Sequence, residues 1–344
     1  MAFEFIATGR AVPPHRITND ELAKTLDTSD EWIRSHTGIG NRHIADEQTA
    51  TSDLAVAAAR EALQMLVDQD KSLGGSLEAA AESLDVVIVA TASPDFFGFP
   101  STACLVQDRL GATKAAAMDV VAGCTGFIYG VETAAGMLSI RQDRKRALVI
   151  GAEILSKITD WKDRSTCVLF GDGAGAVIID KTEAPSSGPG KRGLLRSILG
   201  ADGSGGEYLI LRRGGSRFPY KQGETLDQPP HIEMNGRAVY NFAVKAVTDT
   251  MEQLLKEEGL SVEDLTRIVP HQANARIVQA AAKRLGIPEE KFFLNIEEYA
   301  NTSAASVPIA LDELNRAGGL KRGDLIMTLG FGAGLTYGGN LIIW

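Results

Sequence analysis

The chain has few cysteines, few aromatics, no long apolar run and no excess of positive charge. Its three cysteines, Cys104, Cys124 and Cys167, have no paired spacing, which argues against a disulfide framework and a zinc site. No apolar stretch approaches the roughly 18 residues that a membrane span needs. A net charge of −9 argues against a general nucleic-acid surface or an anionic membrane as partner. The segment Met1-Ala-Phe-Glu-Phe-Ile6 has no basic residues and carries Glu4 inside its apolar stretch. It reads as a first strand, not a signal peptide, and a reducing cytoplasm fits the cysteine usage best. What remains is aliphatic: 44% hydrophobic against 23% charged over 344 residues, enough for one large domain or two ordinary ones with a sizeable core.

Periodicity predicts an α/β chain. Strands are expected at Phe3 to Ala7, Asp85 to Ala90, Ala115 to Val121 and Arg146 to Gly151, separated by helices at about Ser52 to Met65 and Thr102 to Leu110. Thr28 and Glu31 have capping-box spacing ahead of Trp32. Gly171, Gly173 and Ala176 have the spacing of a dinucleotide fingerprint, but β-branched residues follow at once. A strand is therefore expected there, with a tight glycine turn packed against other backbone. Ala184 to Gly193 has the composition of a linker, and Gly200 to Pro230 that of an exposed, Gly-rich excursion. The grammar then repeats. A helix from Gly236 to Glu258 precedes a strand at Thr266 to Val269, and a strand at Lys291 to Ile296 leads to a helix near Asn301. Phe331-Gly-Ala-Gly334 echoes Phe170-Gly-Asp-Gly173.

Two stretches carry chemistry. In Val121-Ala-Gly-Cys124-Thr-Gly126 a buried strand breaks into a helix whose apolar positions are Phe127, Ile128, Val131, Ala134, Ala135 and Leu138. Cys124 thus sits at a helix N-terminus, where unpaired N–H groups and the dipole favour a thiolate nucleophile. The alternative is a small buried hydrophobe. In Val269-Pro-His271-Gln-Ala-Asn274 the histidine lies just past a strand end, where open α/β sheets hold ligands. The alternative there is a core histidine.

Taken together, Val120-Val-Ala-Gly-Cys124-Thr-Gly126, His271-Gln-Ala-Asn-Ala-Arg276, Asn301-Thr-Ser-Ala-Ala-Ser306 and Phe331-Gly-Ala-Gly334 resemble the motif set of the thiolase superfamily. With Asp27-Thr-Ser-Asp-Glu-Trp32-Ile33 and Thr37-Gly38-Ile39, the resemblance narrows to the 3-oxoacyl-[acyl-carrier-protein] synthase III branch, from about residue 3 to Trp344. It implies a thiolase-like α/β fold, two pseudo-repeated halves (1–182 with Cys124; 193–344 with His271 and Asn301) in a five-layer αβαβα arrangement. It also implies an acyltransferase that condenses a short acyl-CoA with malonyl-[acyl-carrier protein], releasing CO2 and CoA and starting fatty-acid synthesis. Cys124 would carry the acyl group, His271 and Asn301 would hold the enolate, and the backbone N–H groups of Cys124 and Ala333 the second oxyanion. By the same resemblance, Thr28, Trp32, Arg164, Gly236, Tyr240 and Asn274 would bind CoA, with adenine between Trp32 and Arg164. The carrier protein would dock on Gln272, Ala273, Asn274, Ala275 and Arg276. Arg276, Lys283 and Arg284 fall at i, i+7 and i+8 on one helix face, which is either a basic patch for an acidic carrier or a plain solvated face.

Phe99 would reach the acyl pocket across a homodimer interface. No cofactor or metal is implied, CoA thioester being substrate. His36 and Asn241 stand where many relatives carry arginine and lysine, with Lys245 one turn beyond Asn241. Two alternatives stay open: a specialised relative priming a secondary metabolite or a dicarboxylate chain, and a non-catalytic acyl-CoA-binding protein.

Overall fold

The aliphatic run Val86–Ala90 forms a strand with every residue buried, as expected of a sheet covered on both faces. The computed structural model describes residues 1–183, 191–226 and 230–344. Its first half contains strands β1 (Ala2–Ala11), β2 (Arg16–Thr18), β3 (Asn41–His43), β4 (Val86–Ala90), β5 (Ala116–Val120), β6 (Arg146–Glu153) and β7 (Gly173–Thr182). The helices there are α1 (Asn19–Leu22), α2 (Asp30–Thr37), α3 (Thr51–Gln69), α4 (Leu77–Glu82), α5 (Thr102–Leu110) and α6 (Gly126–Ile140). The second half adds β8 (Gly193–Ala201), β9 (Leu209–Leu211), β10 (Ile232–Met234), β11 (Arg267–Pro270), β12 (Leu325–Gly332) and β13 (Thr336–Ile343). Its helices are α7 (Gly236–Glu258), α8 (Ala275–Leu285), α9 (Ile296–Tyr299) and α10 (Ser306–Arg316).

The two large sheets share one topology. The first runs β1-β7-β6-β4-β5 and the second β8-β13-β12-β11. In the first, β1–β7 and β7–β6 are antiparallel and β6–β4 and β4–β5 parallel; in the second, β8–β13 and β13–β12 are antiparallel and β12–β11 parallel. Three apolar clusters stack the layers. One packs α3 and α5 on the outer face of the first sheet. A second packs α6 and α10 between the sheets, joining Ile88, Phe127 and Val149 to Val307, Ile326 and Ile342. The third packs α7 and α8 on the outer face of the second sheet. This is the five-layer αβαβα arrangement, and it leaves α6 and α10, the helices after Cys124 and Asn301, as neighbours in the middle layer.

Several local expectations are corrected. The cap of α2 is Ser29, whose Oγ accepts the Trp32 N–H at 3.1 Å. The extended Ser29 backbone shifts the cap one residue from Thr28 and leaves the buried Thr28 hydroxyl without a partner. β5 lies at a sheet edge, so it is only half-buried, and Val121 beyond it is 77% exposed. No strand forms over 291–296: only Phe292 pairs, with Ile268, and the Gln272 side chain takes the Asn295 N–H at 2.8 Å that a ladder would need. The linker expected at 184–193 lies outside the described residues up to position 190, as does Gln228-Pro229. The Gly-rich stretch before it is no simple excursion, because β9 pairs with β10 beside the cysteine.

After the glycine turn at Gly171 comes β7, not a helix, so the chain has no dinucleotide turn there. Gly175 is required by packing: a Cβ on it would lie 2.5 Å from the Ile309 N atom of α10. Gly175→Ala is expected to cost about 1–3 kcal/mol through overpacking. Gly136→Ala, on the open face of α6 where a Cβ meets nothing within 4 Å, is expected to gain about 0.5–1 kcal/mol. Thermal unfolding of the two variants should move in opposite directions.

Candidate active site

Cys124 occupies a single 3-10 turn, Gly123–Thr125, that opens into α6. Gly123 has φ +51°, where a side chain is strained, and its α-carbon faces Ala333 closely enough that a Cβ would stand 3.0 Å from the Ala333 carbonyl. On the opposite side, a Cβ on Gly332 would lie 3.2 Å from Cys124 Sγ. Two glycines therefore allow the end of β12 to press against the cysteine. The backbone N–H groups of Cys124 and Ala333 both stabilise the sulfur's ionised form. Ala333 is not among the residues with positive φ, so its methyl group is accommodated without left-handed strain.

The helix-end position does not yield a resting thiolate. Burial pushes the Cys124 thiol up to about 12, against the smaller lowering effects of Ser303 and the two backbone N–H groups. Desolvation outweighs the helix end because the sulfur is almost completely removed from water.

His271 follows the last residue of β11, and its N–H bonds to Leu329 O at 2.7 Å. The ring is 1% exposed and packs at 5.0 Å on Phe331. Burial pushes it down to about 3, so it is neutral. Its Nδ1 lies 2.7 Å from Ser306 Oγ, which also stands 2.9 Å from the Ser303 carbonyl. One hydroxyl proton serves these two neighbours. If Ser306 donates to the carbonyl, Nδ1–H donates to Oγ and Nε2 holds a lone pair; if Ser306 donates to Nδ1, Nε2 carries the proton. The Ser303 carbonyl keeps the Ser306 backbone N–H in either case.

Asn301 lies between α9 and the 3-10 turn Ser303–Ala305, the counterpart of the cysteine turn. Its Oδ1 accepts the Ser303 N–H at 2.9 Å, which fixes the amide plane.

Cys124, His271 and Asn301 together line one cavity of ≈ 240 Å³. Its buried end is closed by Phe331 and Gly332, and its open end by Trp32, His36, Arg164, Gly236, Tyr240 and Asn274. A second cavity of ≈ 90 Å³ shares Cys124, Phe170 and Leu209 with the first. Its other walls are Ala92, Gly123, Leu155, Ile158, Ile210, Leu211, Ile232, Ser303 and Ala333. The sulfur thus stands at the junction of an open channel and a small apolar pocket.

The remaining expected residues divide. Gly236, Tyr240, Asn274, Trp32 and Arg164 meet at the channel mouth, whereas Thr28 does not line it. Arg164 already sits 5.0 Å above the Trp32 ring, and His36 stacks on that ring at 4.4 Å. An inserted adenine needs about 7 Å between its two neighbours at ordinary stacking distances near 3.5 Å, so Arg164 must swing outward to admit one. The Asn274 side chain caps α8 through the Arg276 N–H and donates to His36 O. Gln272 is 1% exposed and committed to Phe293 O and Asn295 N, so it offers no docking surface. Ala273 and Ala275 are partly buried, while Arg276, Lys283 and Arg284 are exposed on α8. Lys245 is paired with Asp249. Phe99 is 90% exposed and reaches neither cavity within its own chain, although its neighbour Phe97 packs near Ile158, a wall of the apolar pocket. The sequence reading assigned no role to Ser303, Ser306 or Glu153. A carboxylate within the apolar run Val149-Ile-Gly-Ala-Glu153-Ile-Leu155 was the signal available for the last.

Comparison with known proteins identifies the family. Family models described as 3-Oxoacyl-[acyl-carrier-protein (ACP)] synthase III and its C-terminal part match residues 118–203 and 255–344. Beta-ketoacyl-[acyl-carrier-protein] synthase III of Natranaerobius thermophilus is 50% identical over 99% of this chain and 99% of that protein. The chain belongs to the 3-oxoacyl-[acyl-carrier-protein] synthase III family. The protein of the same name from Caldanaerobacter subterraneus is 48% identical over 100% of this chain and 98% of its own length. The crystal structure of 3-oxoacyl-[acyl-carrier-protein] synthase III from Aquifex aeolicus superposes with a TM-score of 0.86 at 42% identity, covering 100% of both chains. The chain is therefore an acyltransferase of this family with a thiolase-like fold.

A neutral, buried His271 has a measurable signature. Its ring NMR signals are expected to stay constant from pH 8 to pH 5, because folded His271 protonates only near 3. A midpoint near 6.5 would contradict the closed site. In the unfolded chain the same residue takes up a proton below about 6.5. The unfolded state then binds more protons, so this residue lowers stability as pH falls from about 6.5 toward 3.

Proposed function

We propose that the protein condenses a short acyl-CoA with malonyl-[acyl-carrier protein] to give 3-oxoacyl-[acyl-carrier protein], CO2 and CoA, and so initiates fatty-acid synthesis. The observation that carries this is the position of Cys124 at the junction of an open channel and a small apolar pocket. An acyl group bound to Sγ extends into the pocket while CoA, and later the carrier's pantetheine arm, occupy the channel in turn. Cys124 attacks the CoA thioester, and the Cys124 and Ala333 N–H groups hold the tetrahedral oxyanion. Loss of CO2 from the malonyl group leaves an enolate whose oxygen takes hydrogen bonds from Asn301 Nδ2 and His271 Nε2–H. The second of these requires Ser306 to donate to Nδ1. The enolate carbon then attacks the acyl-Cys124 carbonyl, which uses the same backbone pair.

The pocket walls favour a plain short acyl primer over a dicarboxylic one, because among the described residues no lysine, arginine or histidine lines the pocket. The exposed Arg276, Lys283 and Arg284 give an acidic carrier protein a local basic patch on an otherwise acidic chain. The exposed Phe96, Phe97, Phe99 and Val121, beside the edge strand β5, support a homodimer in which Phe99 reaches the partner's acyl pocket; a monomer mass in light scattering would refute it. Three free cysteines suit a cytoplasmic location.

The test is intact-protein mass spectrometry after incubation with a panel of acyl-CoAs. The protein is expected to gain one short acyl group, with no gain in Cys124→Ala. Gain only from long or dicarboxylic donors would favour the specialised relative, and no gain from any donor the binding protein. Asn301→Ala is expected to acylate normally but to condense about 10²–10³-fold more slowly, the usual cost of one oxyanion donor.

A further inference from the structure

The resting thiol poses a question that the family resemblance does not answer: where its proton goes when Sγ attacks. His271 is a poor acceptor, since burial strongly disfavours its imidazolium and the enolate step uses its N–H. A second buried ionisable group lies nearby. Glu153, the last residue of β6, is fully buried and has no role in the mechanism above. Every hydrogen bond it makes is to a donor. The Ala92 N–H reaches both oxygens at 3.2 and 3.1 Å, and the Ser93 N–H reaches Oε2 at 3.1 Å. The Ser93 hydroxyl donates to Oε2 at 2.5 Å and the Thr91 hydroxyl at 3.2 Å. The Ser93 Oγ in turn accepts the Ile154 N–H at 2.9 Å, which directs its own proton to the carboxylate. No cation pairs with this group among the described residues; it is held by dipoles alone.

The backbone places Glu153 against the active-site turn. Residues 151 and 153 face the same side of β6. At 151 there is no side chain, and a Cβ there would lie 2.1 Å from the Ala304 carbonyl. The Ser303–Ala305 turn therefore lies directly on the face of β6 that Glu153 shares. Ser303 lines the apolar pocket with Cys124 and adopts φ +48°, a conformation a serine holds only under constraint from its surroundings. Its side chain lies beside both Cys124 and Glu153 and favours the ionised form of each. Desolvation raises the Glu153 carboxyl above the usual range and so makes it a better proton acceptor than a solvated carboxylate.

We propose that Ser303 and Glu153 form a proton relay for Cys124, with Glu153 as the acceptor that holds the proton while the cysteine carries its acyl group. The proposal rests on the acyl-Cys124 intermediate inferred above. As Sγ bonds to the acyl carbon, its S–H bond breaks, the proton passes to Ser303 Oγ, and the Ser303 proton passes to Glu153. The C–S bond to CoA breaks, and the CoA thiolate takes a proton from water in the open channel. When the enolate carbon displaces Sγ in the second half-reaction, Glu153 returns its proton through Ser303 to the cysteine thiolate. One proton from water is consumed per turnover, matching the carboxylate lost as CO2. Ser303 touches the reacting sulfur, whereas Glu153 acts through it.

The experiment compares wild type with Glu153→Gln, Glu153→Asp and Ser303→Gly, the last removing the hydroxyl at a position whose φ suits glycine. Acylation of Cys124 by acetyl-CoA is followed by quenched mass spectrometry, and iodoacetamide alkylation of Cys124 provides a readout that needs no acyl-CoA. Glu153→Gln and Ser303→Gly are expected to slow both reactions about 100-fold at pH 7 with CoA affinity unchanged, and Glu153→Asp to recover part of the loss. A merely electrostatic Glu153 gives the opposite sign: removing its negative charge lowers the thiol pKa, so Glu153→Gln would alkylate faster than wild type. Faster or unchanged alkylation in folded Glu153→Gln overturns the relay. If that variant does not fold, wild-type rates in Ser303→Gly overturn it instead. If wild type takes no acyl group from any acyl-CoA, the functional proposal fails, and the alkylation rates decide the relay separately.

Discussion

The site depends on the close approach of two short turns, Gly123–Thr125 ahead of α6 and Ser303–Ala305 ahead of α10. The first follows β5 and the second follows α9, and each delivers polar atoms to one point in the middle layer. Glycines set the distance. Gly151 lets the Ala304 carbonyl occupy the space of a side chain, Gly175 admits the backbone of α10, and Gly332 admits the cysteine itself. Close packing transmits a shift of a few tenths of an ångström across such an interface, so these positions fix the relative placement of Cys124, Asn301 and Ser303.

Burial then governs the chemistry. It leaves the cysteine protonated and the histidine neutral, while the one fully buried carboxylate nearby is held only by donors. The free site therefore keeps its nucleophile uncharged, and the anionic species expected during reaction meet oriented N–H groups, which need no reorganisation. Ser306 and Ser303, one turn apart, connect this field to the histidine and to the cysteine.

The apolar pocket shows how a region of weak sequence signal acquires a role. The Gly-rich stretch after residue 200 has no periodicity of its own, yet its strands β9 and β10 supply Leu209, Ile210, Leu211 and Ile232 to the wall beside Cys124. Such a short strand pair has too little surface to announce itself by pattern. Its leucine and isoleucine side chains are held in place only because the rest of the fold provides the opposite wall, Leu155, Ile158 and Phe170.

The sequence by itself determined the α/β alternation, the internal repeat and the three residues Cys124, His271 and Asn301, because these follow from local periodicity and from four ordered motifs. The helices Thr102–Leu110 and Gly236–Glu258 have the bounds that their patterns predicted. Tertiary structure decided what depends on neighbours distant along the chain. The 291–296 segment forms no strand beyond the Phe292–Ile268 bridge because a side chain from the His271 motif takes the Asn295 N–H, and Gln272 became a core group instead of a docking one. The thiol stayed protonated because removal from water outweighs a helix terminus that the sequence could place but whose burial it could not measure. Glu153 became a partner of the site only when β6 and the Ser303 turn, 150 residues apart in the chain, were pressed together across Gly151.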